Sequence, residues 1–312
     1  MAHATIGIDI SKDTLDVHRL PDARHRRFAN DRAGHRALVS WIGKGDVQRI
    51  VYEPTGPYHR TMEGALAQAG LPLVKVNPRQ ARRFAEAAGQ LAKTDRIDAA
   101  MLARMGDALD LQARPVADEQ TANLRELLGA RRALVKERTA CLNRQKQITL
   151  ALLKRQCAQH LRQIKTQLAA LDEAIHAVIR ADPALARRFA IVTSIPGIAD
   201  QAAFALIVDM PELGQLDSRQ AASLAGLAPR TRQSGKWNGR ALCWGGRGQL
   251  RHALYMPALV ASRFNADLKS KYQQFVAAGK PPKIAITALM RKLLVLANAL
   301  LKADRKWSPR MA

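Results

Sequence analysis

The sequence predicts an α/β plus α fold class: a mixed-sheet domain first, then long coiled-coil helices, then a mainly helical C-terminal domain. Three observations predict it. Thr5-Ile6-Gly7-Ile8-Asp9-Ile10 alternates with period two and opens a series in which strand patterns give way to strands alternating with helices. Between Ala130 and Asp182 there is neither Gly nor Pro, and apolar residues recur at coiled-coil spacing. From about residue 190 the pattern becomes helices punctuated by Pro and Gly turns. We therefore expect domains at 1–115, 116–186 and 187–312.

In the first segment Ile6, Ile8 and Ile10 face one side, and Gly7, Asp9 and Ser11 the other. Runs at 14–20 and 25–29 follow, turned by Pro21-Asp22, which makes a three-stranded meander. Asp31 is placed to cap a helix to about Ile42. The strand Arg49-Ile50-Val51-Tyr52 ends on Glu53-Pro54-Thr55-Gly56, and a helix (58–69) and a strand (71–76) come next. After Asn77-Pro78 a basic helix carries Arg79, Arg82 and Arg83. Asp95 and Asp98 then open an apolar-patterned helix, three residues apart and so on one face. Strands alternating with helices after a meander place the first strand at the centre of the sheet.

Leu127/Leu128, Leu134/Val135, Cys141/Leu142 and Ile148 recur every seven residues, and Leu161, Ile164, Leu168, Leu171, Ile175 and Val178 follow a 3-4-3-4 spacing. These are two seams of a hairpin turning near residues 156–160. They need a partner surface, either a second copy or the chain's own domain, with self-association slightly favoured. Ser194-Ile195-Pro196-Gly197-Ile198 is a turn before a helix, read equally well as a phosphate-contacting hairpin or a capping turn. A small-residue helix (221–227) leads to the polar loop from Arg230 to Arg240. A helix from Gly248 to about Phe264 and a last long helix close the sequence.

Charge narrows the function. The 312 residues hold 50 Lys+Arg against 26 Asp+Glu, a formal charge of +24. Residues 230–312 hold 17 Lys/Arg and 2 Asp/Glu, which is +15 of that total. A small-molecule enzyme has no use for such an excess, so a polyanionic partner, most often nucleic acid, is expected. Cys141, Cys157 and Cys243 form no C-x-x-C pair, so we expect no disulfide framework, no zinc knuckle and a reducing, cytoplasmic compartment. The first residues enter a strand pattern without a signal-peptide pattern. The apolar stretch 284–301 carries Arg291 and Lys292 in its middle, which favours a core helix over a membrane span.

Asp9 and Glu53 at strand ends and Asp95 and Asp98 on a helix fall where the element order brings them to one edge. Carboxylates held together share protons or bind metal, and hard oxygen ligands suit Mg²⁺, with Mn²⁺ as the alternative. Two such ions ~3.5–4 Å apart stabilise both the attacking and the leaving oxygen of a phosphoryl transfer. Any one of these aspartates alone is more often structural. Ser234, followed by Gly235, sits among Arg230, Arg232, Lys236 and Arg240. A serine hydroxyl needs activation to attack. On loop chemistry alone Ser234 reads as an ordinary loop serine, in competition with Ser11, Ser194 and Ser223.

Gly-Ile-Asp9-Ile-Ser-Lys, Tyr-Glu53-Pro-Thr-Gly, Lys93-Thr-Asp95-Arg-Ile-Asp98-Ala, Ile195-Pro-Gly-Ile, Ala225-Gly-Leu-Ala-Pro-Arg230, Gln233-Ser234-Gly235 and Leu250-Arg251-His-Ala-Leu-Tyr-Met-Pro-Ala258 occur in this order. Together, and nearly end to end, they make the chain resemble the transposases of the IS110 insertion-sequence family. The resemblance implies an RNase H-like N-terminal domain, similar to the junction resolvase RuvC, whose Asp9, Glu53, Asp95 and Asp98 bind magnesium. It implies Ser234 as nucleophile in a C-terminal transposase domain. It also implies a bridge RNA pairing with donor and target DNA, and exchange through a phosphoserine link in a tetramer assembled from dimers, with carboxylates and serine from different subunits. Arg79, Arg82, Arg83, Lys93, Arg230, Arg232, Lys236, Arg240, Arg247 and Arg251 are the expected nucleic-acid contacts. One departure is visible: where the family often has Ser-Lys-x-Gly, this sequence has Cys243-Trp244-Gly245-Gly246, with Arg247 next. Two rivals remain on residues alone, a water-using RNase H-fold resolvase and a non-catalytic basic nucleic-acid-binding protein.

Overall fold

The structure, a computed structural model, describes residues 3–43, 45, 47–90, 92, 94–113, 118–235, 237–239 and 241–309. The chain forms two compact units, Met1–Ala117 and Asp118–Ala312.

The first unit is built on a five-stranded mixed sheet. β1 (Ala4–Ile10), β2 (Thr14–Leu20) and β3 (Arg24–Ala29) form the antiparallel meander, and β4 (Val47–Tyr52) and β5 (Leu73–Lys75) continue parallel to β1. The order β3-β2-β1-β4-β5 puts the first strand at the centre, as the sequence predicts. Four helices accompany it among the described residues: α1 (Arg32–Ile42), α2 (His59–Gln68), α3 (Pro78–Ala87) and α4 (Asp95–Ala108). Asp31 caps α1, its carboxylate accepting from the Gly34 amide at 2.7 Å. Asn77 caps α3 with Pro78 in its first turn, where a missing N–H costs nothing.

Period-two alternation gives each sheet face its own core. Ile6, Ile8, Ile10, Leu15 and Ile50 pack with Leu38 and Ile42 of α1 and Met62 and Leu66 of α2. Val51 and Val74 pack with Leu102 and Met105 of α4 on the other face. α4 lies directly on β1 because Gly7 has no side chain: a Cβ there would overlap the Ala99 carbonyl. At its far end α4 is held by Arg49, which is 2% exposed, donates to the Gly106 carbonyl at 2.6 Å and pairs with Asp110 at 2.6 Å.

The second unit is helical. α5 (Glu119–Gln145) and α6 (Ala151–Ala181) form an antiparallel hairpin, and α7 (Pro183–Thr193), α8 (Asp200–Asp209), α9 (Ser218–Leu224), α10 (Gly248–Phe264), α11 (Ala266–Ala277) and α12 (Pro282–Lys302) follow. Among the described residues four two-residue strands lie between α9 and α10: β6 (Pro229–Arg230), β7 (Gln233–Ser234), β8 (Trp237–Asn238) and β9 (Leu242–Cys243), paired β6 with β9 and β7 with β8.

The hairpin turns at residues 146–150, not at the expected 156–160. Its cross-helix pairs fix the tip: Cys141 Sγ meets Cys157 Sγ at 2.8 Å, Glu137 meets His160 at 2.9 Å, and Gln120 donates to the Val178 carbonyl at 3.3 Å. All three centre near residue 149. The two seams close on each other, so the partner they needed is within the chain. Leu124, Leu128, Ile175 and Ile179 at the open end pack on Phe204 and Val208 of α8. At the tip Leu142, Leu150, Leu152 and Leu153 are exposed. Cys141 and Cys157 are free and buried, and Cys243 is free and half-buried.

The main core of this unit gathers Ile191, Leu206, Leu250, Leu254, Leu289, Leu293 and Leu294 from α7, α8, α10 and α12. By length and composition α12 would suffice to cross a membrane, but its buried residues belong to this core. The turn at Pro196-Gly197 packs inward: at φ 104° Gly197 lies against α10, where a Cβ would come 2.8 Å from the Pro257 carbonyl oxygen.

Candidate active site

The carboxylates meet because of strand register. Ile8 of β1 pairs with Tyr52 of β4 in parallel, so the next residues, Asp9 and Glu53, leave neighbouring strands side by side. Gly7 seats α4 on the same face, and Thr94 caps α4, its hydroxyl accepting from the Ile97 amide at 3.3 Å. Asp95 and Asp98 therefore fall in the first turn, where the helix dipole favours negative charge. All four line one cavity of about 620 Å³ together with Lys12, Thr55, Tyr58 and Arg82.

The cavity is strongly negative. Burial, then Asp98, Asp95 and Glu53, push the Asp9 carboxyl up to about 6. Among the described residues no three His, Cys, Asp or Glu side chains are gathered tightly enough to ligate one ion. Asp95 lies beside Arg27 Nη2 at 3.5 Å. What fits a hard divalent cation is the all-carboxylate donor set in a shared cavity whose charge raises the proton affinity of its own member.

Sequence reasoning missed two residues here. Asp16 stands opposite Asp9 on β2 and opposite Arg27 on β3. It is 1% exposed and takes hydrogen bonds from Arg27 at 2.9 Å and from the His25 ring at 2.9 Å. Arg27 thus links Asp16 to Asp95. The signal was available: in a meander, same-face residues of adjacent strands are neighbours. On the other side, the Tyr52 hydroxyl donates to Glu63 at 2.6 Å and Glu63 pairs with Lys75 at 2.7 Å, anchoring the strand end that delivers Glu53. Asn30 donates to the carbonyls of Ser11 (2.8 Å) and Tyr58 (3.2 Å), tying together two loops at the cavity.

Ser234 lies in the other unit, exposed, on β7 opposite Trp237 of β8. Two of its competitors are engaged locally. The Ser11 hydroxyl donates to the Thr14 carbonyl at 2.9 Å, and that of Ser194 donates to Ile191 at 2.6 Å and accepts from the Trp307 amide at 2.8 Å. The excursion carrying Ser234 is pinned at its base. Gly226 (φ 68°) and Gly246 (φ 58°) pass backbone to backbone, and a Cβ on either would overlap the other strand of the crossing. The Arg247 amide donates to the Leu224 carbonyl at 2.8 Å.

The expected nucleic-acid contacts divide. Arg247 is engaged within the chain, pairing with Glu212 at 2.7 and 2.8 Å and donating to the Asp209 carbonyl at 2.7 Å. Arg251 donates to the Ala225 carbonyl at 3.2 Å and to that of Gly245. Arg230 lies over the Trp244 ring at 5.1 Å, so the tryptophan in the departing turn has a cation on its face. Arg232, Arg79 and Arg83 are exposed, and Arg82 pairs with Glu86 at 3.1 Å on the rim of the carboxylate cavity. Lys93, Lys236 and Arg240 lie outside the described residues.

Comparison with known proteins gives two family matches. Residues 6–163 match a DEDD transposase model of IS110 type, described as "Transposase". Residues 189–273 match "Transposase IS116/IS110/IS902 family". The chain is 30% identical to the pilin gene-inverting protein of Moraxella bovis, and equally to that of Moraxella lacunata, with 100% of this chain and 99% of each relative aligned. It is 28% identical to an uncharacterized protein of insertion element IS110 from Streptomyces coelicolor, over 52% of this chain and 40% of that one.

Proposed function

The chain belongs to the IS110 family of transposases, a family of DNA-recombining enzymes whose DEDD domain implies a divalent metal, and from that premise we propose a serine-dependent strand exchange. Asp9, Glu53, Asp95 and Asp98 would hold Mg²⁺, with Mn²⁺ able to replace it. When bound, such an ion would supply positive charge at the scissile phosphate and the leaving oxygen. Ser234 Oγ attacks the phosphorus, an Oγ–P bond forms, a phosphorus–deoxyribose oxygen bond breaks, and the leaving oxygen takes up a proton. Attack by a deoxyribose hydroxyl of the other strand reverses these bonds and joins the new junction, so no external energy source is needed. Exposed Arg230 and Arg232 hold the DNA backbone, with affinity that falls steeply with salt.

The observation that carries this reading is the convergence of four carboxylates from β1, β4 and α4 on one cavity, in a chain whose other unit carries a basic serine loop. Two relatives are pilin gene-inverting proteins, and inversion of a DNA segment is the reaction we assign by analogy. The choice of site falls to a bridge RNA that pairs with donor and target DNA, on the strength of the family resemblance. The chain works in the cytoplasm as a dimer that assembles to a tetramer, and the exposed leucines at the α5–α6 tip supply an apolar surface for that assembly.

Recombination of a plasmid carrying both element ends and the flanking non-coding DNA, by purified chain with Mg²⁺, tests it. Joined junctions are expected with the natural chain and none with Asp98→Asn. Nicks without joined product would make the chain a water-using nuclease. Unchanged joining by Asp98→Asn would leave only a nucleic-acid-binding role for the cavity.

A further inference from the structure

We propose that Trp237 is a stacking platform for an unpaired nucleobase of the DNA strand presented to Ser234. Ser234 and Trp237 are direct cross-strand partners in β7 and β8. Directly opposite residues of an antiparallel pair project from the same face, with Cβ atoms about 4.5–5.5 Å apart. Whatever reaches the Ser234 hydroxyl therefore meets the indole.

The ring is presented, not buried. Trp237 is 59% exposed. It packs over Gly239, where a Cβ would overlap its six-membered ring, and the Gly239 amide is held by the Arg232 carbonyl at 2.9 Å. A large apolar side chain kept in water on a backed platform awaits a flat apolar partner. The surrounding charge says which. Pro229 to Gly246 contains Arg230, Arg232, Lys236 and Arg240 and no acidic residue. A polyanion with flat apolar faces is a nucleic acid. The same loop of a second copy, equally free of acidic residues, is disfavoured as its occupant by like charge. A paired base hides its faces in the stack, so the ligand is a base without its stacking neighbour. Trp244 is less open, because the Arg230 guanidinium already lies over one face of its ring at 5.1 Å.

Only the role of the base rests on the reading of Ser234 as nucleophile; the platform itself does not. The full chain is titrated into a labelled mixed-sequence single strand, and into the matching duplex, with fluorescence anisotropy as readout. Trp237→Ala is expected to weaken single-strand binding about 5- to 150-fold, the range for one base–aromatic stack. Trp237→Phe should recover most of it, and duplex binding should change far less. The salt dependence should keep its slope, because an indole neutralises no phosphate. Unchanged single-strand affinity in Trp237→Ala overturns the proposal, and so does an equal loss on both probes. A change in particle mass by light scattering with unchanged DNA affinity also overturns it, in favour of a contact between copies. Ser234→Ala separates the two readings. It should retain Trp237-dependent binding, and if it still forms a covalent protein–DNA product the nucleophile reading fails while the platform stands.

Discussion

The carboxylate end of the sheet and the Ser234 loop differ in nearly every physical respect. The first is half-buried, negative and delivered by three regular elements, β1, β4 and α4, with Gly7 and Arg49 fixing the helix on the sheet. The second is exposed, positive and carried on strands of two residues, pinned at its base by Gly226, Gly246, Arg247 and Arg251. The contrast follows from the charges. Carboxylates that repel one another in a cavity stay together only if backbone forces them to. Cations and an indole that await a ligand can stand in water and need only a secure root. One region is held by three regular elements, and the other is an exposed excursion pinned at its root.

Several substitutions would break or sharpen that contrast. The largest effect is expected at the carboxylate end. Asp98→Asn should lower strand cleavage by at least about 100-fold, the scale on which loss of one charge-stabilising group in an active site is felt. Calorimetry should show Mn²⁺ affinity falling in the same variant. Retained Mn²⁺ binding would mean that the four acids are not one cage.

Backbone fit comes next. Gly7→Ala forces a Cβ into the Ala99 carbonyl and should cost about 1–3 kcal/mol or more, with activity lost because α4 carries Asp95 and Asp98. Gly226→Ala should cost about 1–3 kcal/mol from its left-handed conformation alone. Thermal melts followed through each unit should locate the first loss in Met1–Ala117 and the second in Asp118–Ala312. Melts that move together would contradict separate scaffolding.

Arginines give the smaller effects. Arg247→Gln breaks a half-exposed double hydrogen bond to Glu212 and should destabilise the second unit by about 1–2 kcal/mol, after discounting for solvent. Its effect on the salt dependence of DNA binding should be small. Arg232→Gln should do the opposite, leaving the melt unchanged and lowering the log–log salt slope by about 1. Equal behaviour of the two would erase the distinction between root and tip.

Much of the first region was legible in the sequence. Period-two alternation in Thr5 to Ile10, the Glu53-Pro54 strand end and the Asp95/Asp98 helix start are local signals, and each named its residue. Asp16 and Arg27 were not legible, because their partnership depends on which residues of a meander stand opposite one another. The hairpin was read correctly as two helices but turned about ten residues too late. Residues 146–150 hold neither Gly nor Pro, and only the pairing of Cys141 with Cys157 and Glu137 with His160 marks the tip. α7 and α11 went unrecognised, because their apolar residues share cores with α8, α10 and α12 and show no strong period of their own. In the second region the partners of Arg247 and Arg251 within the chain were not legible: Glu212 and the Ala225 carbonyl lie 35 and 26 residues away, beyond any local pattern.

The central claim is that the cavity carboxylates act on a phosphate that Ser234 attacks. Its most direct measurement is a denaturing gel of the chain incubated with Mg²⁺ and DNA carrying the element ends, followed by peptide mapping of any protein–DNA adduct. An adduct mapping to Ser234 is expected, absent from Ser234→Ala and from Asp98→Asn. An adduct that persists in Ser234→Ala, or cleavage with no adduct in the natural chain, would contradict it.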